Sequence, residues 1–91
     1  MSISVRIPTA LRPLAGGREL VAAAGRTVGE VMDSLEAECP GMKKRLCDES
    51  GAMRRFVNVY LNGEDVRFLS GIETPVEDGA ELSIVPAVAG G

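Results

Sequence analysis

Arg55-Phe56-Val57-Asn58-Val59-Tyr60-Leu61-Asn62-Gly63 is the stretch on which the fold turns. Val57, Val59 and Leu61 share one side of an extended chain, while Phe56, Asn58 and Tyr60 share the other, the period-two pattern of a strand with two different faces. Asn62-Gly63 follows at once and suits the positive φ angles of a two-residue turn, so the chain doubles back as a hairpin. Glu64 to Phe68 is read as the short return strand. Leu69 to Gly79 then passes Gly71, Pro75 and Asp78-Gly79, a loop signature. Glu81 to Val85 resumes the alternation as a final strand, with Leu82 and Ile84 turned inward and Pro86 as its stop.

Working back toward the N-terminus, the pattern changes period. Thr27 with Glu30 three residues on is a capping box. Behind it Val28, Val31, Met32, Leu35 and Cys39 keep helical spacing on one face, with Glu30, Asp33, Glu36 and Glu38 outside. Pro40-Gly41 ends this helix, and Met42 to Cys47 is a single further turn of helix with Met42 and Leu46 facing inward. Asp48 to Gly51 is a loop flanked by the basic pairs Lys43-Lys44 and Arg54-Arg55, a solvated surface with some power to steer an acidic partner. Upstream, Ile3, Val5 and Ile7 alternate with Ser4 and Arg6 in a first strand ended by Pro8. Leu11 to Gly17 is a turn region, Arg18 to Ala24 a second strand pairing with the first, and Gly25-Arg26 its break. The order β-β-α-β-β-β, with one helix over one mixed sheet, is an α+β, β-grasp pattern over residues 1–86. One helix covers one sheet face, so the other meets solvent or a partner. Alternation puts Phe56, Tyr60 and Val85 on that open face, a candidate docking patch.

Composition narrows the function. Ninety-one residues, 45% apolar and 25% charged, suit one folded domain. A net charge of -3, without a long basic run and with three aromatics (two Phe, one Tyr), does not suit a nucleic-acid partner. No apolar run reaches membrane-spanning length. The N-terminus reads as neither a signal nor a transit peptide, so a cytoplasmic location is expected. The chain has no histidine and two cysteines. Histidine-based acid–base chemistry is therefore absent, two thiols are too few for a structural zinc, and Cys39 and Cys47 are expected as small buried hydrophobes. The acidic pairs Asp48-Glu49, Glu64-Asp65 and Glu77-Asp78 lie in turns, where solvated charge is the ordinary explanation. Gly16-Gly17 lacks the lysine and helix of a phosphate loop. The chain is expected not to be an enzyme and to bind no metal.

Its reactive feature is the tail. After Pro86, residues Ala87-Val88-Ala89-Gly90-Gly91 carry no charge before the terminus and nothing larger than valine. Residues 87–91 are expected to leave the domain as a flexible, narrow diglycine tail. Without Cβ crowding at its tip, the Gly91 carboxylate can enter a slot that admits only backbone. Ala87, Val88 and Ala89 bring no polar side chain to be left unpaired in a tunnel.

Val76-Glu-Asp-Gly79, Leu82-Ser-Ile-Val85, Pro86 and Gly90-Gly91 resemble the corresponding segments of the ubiquitin-like sulfur carriers of bacteria, which serve thiamine, molybdopterin and cysteine synthesis. Ile7-Pro-Thr-Ala-Leu-Arg-Pro13, Arg55-Phe-Val-Asn58, Glu64-Asp-Val-Arg-Phe68 and Pro86-Ala-Val-Ala-Gly-Gly91 look most like the branch that makes cysteine from O-phosphoserine. Ala80 departs from the pattern, since many relatives place an acid after the Asp-Gly turn. The resemblance implies that an activating enzyme adenylates Gly91 with ATP and magnesium, and that sulfide or a persulfide donor then gives a thiocarboxylate. It further implies attack on an aminoacrylate at a pyridoxal-phosphate (PLP)-dependent cysteine synthase, and release of cysteine by a zinc peptidase. ATP-Mg and PLP would belong to those partners, with no cofactor bound by this chain. Gly90, Ala89, Val88 and Ala87 would thread into the partner while the body docks.

Three alternatives stay open. The sulfur could go to molybdopterin, thiamine or thiolated tRNA instead; the chain could be a modifier joined through Gly91 to protein lysines; or it could be an interaction domain with an inert terminus.

Overall fold

Two hairpins and the helix between them build the molecule, in a computed structural model that describes residues 2–54 and 57–86. Strands β1 (Ser2–Arg6) and β2 (Leu20–Ala24) pair antiparallel, and helix α1 (Val28–Glu38) follows with the short helix α2 (Met42–Leu46) behind it. Strands β3 (Val57–Leu61), β4 (Glu64–Asp65) and β5 (Glu81–Pro86) complete one sheet in the order β2-β1-β5-β3-β4. The last strand is thus the central one, parallel to β1 and antiparallel to β3. This is the β-grasp fold.

Alternation places Ile3, Val5, Val21, Val59, Leu82 and Ile84 on the inner sheet face, where they are buried with Val28, Val31 and Leu35 of α1. Thr27 caps α1 as its sequence requires: its hydroxyl accepts the Glu30 N–H at 3.2 Å. The reciprocal arm reaches one residue further back, with the Glu30 carboxylate accepting from Arg26 N–H at 2.9 Å. Glu36 ties the two helices by accepting the N–H groups of Gly41 (3.0 Å) and Lys43 (2.8 Å). Cys39 and Cys47 are both buried and both free thiols, as their apolar settings required. Where β2 meets α1, a Cβ added to Gly25 would stand 2.7 Å from the Val31 nitrogen, so only glycine fits. Asn62 and Gly63 have φ of 49° and 92°, the two left-handed residues of a tight hairpin turn.

The structure corrects four readings. Most of the 11–17 turn region lies within a 3-10 helix, Thr9–Ala15, whose Leu11 and Ala15 are buried. The second strand begins at Leu20, not Arg18, although Ile7 N–H still reaches the Glu19 carbonyl at 2.7 Å. The return strand stops after Asp65. There the Asp65 carboxylate accepts the Arg67 N–H at 2.9 Å and turns the chain into a 3-10 helix, Val66–Phe68, which buries Val66. Finally, β5 continues through Pro86. Asn62 N–H bonds to the Glu81 carbonyl, so the hydrogen-bonded pairs are 62–81, 60–83 and 58–85, and Pro86 opposite Val57, one step beyond, occupies a non-hydrogen-bonded position. Its missing donor is not needed by β3. The expectations for Arg55, Phe56 and residues 87–91 lie outside the described residues.

Candidate functional site

The sequence leads to the expectation that the chemistry lies beyond Pro86, and the fold shows how the strand that precedes it is held. β1 pairs with β5 at residues 81–83, whereas β3 pairs with it from 82 to 86. Asn58 stands opposite Val85 and Val57 opposite Pro86. The last described residues of the central strand, 84–86, therefore pair with β3 alone.

Outward-facing residues around this end of the ladder give its surface. Val85 is 42% exposed. Tyr60, opposite Ser83, is half-buried on the same face and lies diagonal to Val85 across the ladder. Two of the three residues expected to form a docking patch thus share one face; the third, Phe56, is outside the described residues. The same face also carries Leu20, 47% exposed, next to Arg6. Arg6 bridges Glu19 at 2.8 Å and Glu81 at 3.6 Å, a charged cluster beside the apolar patch. These pairs are exposed and contribute little to stability.

Two features were missed by sequence reasoning. Phe68 is 87% exposed, because the return strand assumed for it gives way to the turn that starts at Asp65. Arg67 lies across the outer edge of β3, its guanidinium donating to the Val57 carbonyl at 2.6 Å and to Asn58 Oδ1 at 2.9 Å. The signal for the first was Asp65, a residue that favours turns over strands. Periodicity carries no signal for the second.

The body's own thiols do not supply a nucleophile. Burial pushes the Cys39 and Cys47 thiols above the ordinary cysteine value, which keeps both protonated at neutral pH. Among the described residues no group of three or more His, Cys, Asp or Glu side chains could hold a metal ion. Among them, too, no helix is long and apolar enough to cross a membrane.

A β-grasp body whose last strand is the central one places the molecule in the ubiquitin-like fold class. The chain belongs to the ThiS family, whose model matches residues 5–91. Members are small carriers and not enzymes, and this protein is a sulfur carrier of that kind. It is 50% identical over 93 aligned residues to the sulfur carrier protein CysO of Mycobacterium tuberculosis (strain H37Rv), covering 100% of both chains. It is 48% identical to small archaeal modifier protein 3 of Haloferax volcanii over 65 residues, 71% of this chain and 70% of that one. Its structure superposes with a TM-score of 0.92 on a chain from the Amycolatopsis orientalis BexX/CysO complex, at 50% identity, covering 98% of this chain and 99% of the other.

Proposed function

We propose that this carrier is loaded at the Gly91 carboxylate and delivers its sulfur to cysteine synthesis. A carboxylate is anionic at neutral pH and a poor electrophile. Transfer of an adenylyl group from ATP, with loss of pyrophosphate, turns one carboxylate oxygen into part of a good leaving group. Sulfide, or a persulfide followed by reduction, displaces AMP and leaves a thiocarboxylate. That sulfur is ionised and nucleophilic, and attacks an electrophilic carbon held by a PLP-dependent synthase. A zinc peptidase would then free the new cysteine from the carrier. The body docks on each partner through the Tyr60–Val85 face, with Phe56 as the third member, and residues 87–91 thread inward at high effective concentration.

The single observation that carries this reading is 50% identity to a CysO sulfur carrier across the full length of both chains. The test is loading of the purified chain by an activating enzyme with ATP and sulfide. Intact mass spectrometry should show the gain of one oxygen-for-sulfur exchange, mapped to Gly91. Loading at any other residue would overturn it.

Similarity to an archaeal modifier protein favours one second reading. The same activated terminus would be attacked by a protein lysine, giving conjugates that survive reductant. Such conjugates in the native host, joined through Gly91, would establish it.

A further inference from the structure

β5 is held from both sides only as far as Ser83, where its pairing with β1 ends. Residues 84–86 rest on β3 alone. β3 is itself poorly supported at that end, because β4 pairs with it only at Tyr60 and Leu61. The alternation of the ladder turns the Val57 carbonyl away from β5, toward this uncovered edge. Arg67 occupies the gap. Its guanidinium donates to the carbonyls of Val57 (2.6 Å) and Arg54 (2.7 Å) and to Oδ1 of Asn58 (2.9 Å). The Asp65 cap on its own N–H holds the base of the side chain in place. Val57 and Asn58, the residues Arg67 grips, are those opposite Pro86 and Val85.

We infer that Arg67 is a positioning residue for the C-terminal chemistry, a brace that fixes the Val57–Pro86 end of the β3–β5 ladder, whose Pro86 is the described residue nearest Gly91 in the chain. This rests on the reading that Gly91 is the reacting residue. A planar fork of donors can serve two carbonyls and an amide oxygen together, which the single ammonium of lysine cannot reproduce. Arg67 is exposed, so its loss hands these acceptors to water and leaves the core intact, while the end of the β3–β5 ladder frays. Fraying at residues 84–86 lengthens the segment that must be ordered before the terminus reacts, at a cost of about tenfold for each residue released. Arg67→Ala keeps the docking side chains Tyr60 and Val85 and loosens only the backbone beneath the end of the ladder, so the loss falls more on kcat than on KM.

The test loads the full chain, as wild type, Arg67→Ala and Arg67→Lys, with an activating enzyme, ATP and sulfide, and follows amide hydrogen exchange in the same samples. The brace predicts that Arg67→Ala lowers kcat by about tenfold or more with KM within about twofold, and that Arg67→Lys recovers only part of the loss. Exchange should quicken at Asn58 and Val85 and stay unchanged at Val5 and Val21. Wild-type kcat in Arg67→Ala, or loss of protection at Val5 and Val21 along with it, would overturn the proposal. If the wild type itself does not load, the Gly91 reading falls, and unchanged exchange at Asn58 and Val85 would then overturn the brace by itself.

Discussion

Asn58 stands opposite Val85 in the last hydrogen-bonded pair of the β3–β5 ladder, one residue before the ladder closes on Val57 and Pro86. In the proposed function, this pair anchors the face on which a partner would dock. Val85 turns outward and is 42% exposed, so its methyl groups contribute little to folding and, under the proposed function, are available for docking. Val85→Thr keeps the β-branched shape that suits a strand and replaces one methyl by a hydroxyl. Unfolding free energy should stay within about 0.5 kcal/mol of wild type by chemical denaturation. KM for loading should rise several-fold, since an apolar contact at the interface is lost.

Gly90 is the position where a narrow slot would be least tolerant. Gly90→Leu adds a branched side chain next to the reacting carboxylate, where the slot is expected to admit only backbone. The melting temperature should not move, and single-turnover loading should fall below detection. Loading at the wild-type rate would show that no narrow slot exists.

Gly25→Ala tests the join between the first hairpin and the helix. The new methyl would sit 2.7 Å from Val31 N and 2.9 Å from Glu30 C, both backbone atoms that cannot swing away. A loss of about 1–3 kcal/mol is expected on denaturant unfolding, because either β2 or the first turn of α1 must shift.

Acid should destabilise the fold through Glu36 and Asp48. Backbone N–H groups of Gly41 and Lys43 hold the Glu36 carboxyl below its ordinary value, and the Ser50 hydroxyl followed by backbone N–H groups does the same for Asp48. A folded-state pKa below the unfolded one means that stability is fully present above the unfolded value and is lost as pH falls through the folded one. Thermal melts should be flat from about pH 7 to pH 5 and decline below about pH 4. Glu36→Gln and Asp48→Asn should each lower the neutral plateau and shallow the acid limb.

Much of this architecture is legible in the sequence alone. Thr27 and Glu30 announced the start of α1, and Asn62-Gly63 announced the hairpin, because each depends on chemistry within a few residues. The alternation through Val57, Val59, Leu82 and Ile84 named the inner face correctly for the same reason. The return strand failed at Asp65. Its apolar members Val66 and Phe68 fit a strand pattern, but a local side-chain cap bent the chain into a 3-10 turn, burying one and exposing the other. The segment before β2 failed similarly, since Pro13 and two glycines look like a loop while Leu11 and Ala15 are drawn into the core as a 3-10 helix.

The sequence by itself determined which elements form, which face of each is apolar, and that a slim diglycine segment follows the last strand. Those properties are local: periodicity, caps and turn residues act within a few positions of chain. Only the tertiary structure decided that the last strand is the middle of the sheet, that β1 releases it after Ser83, and that Arg67 braces the strand beside it. Strand order and edge support depend on residues far apart in sequence meeting in space, and no spacing along the chain encodes that meeting.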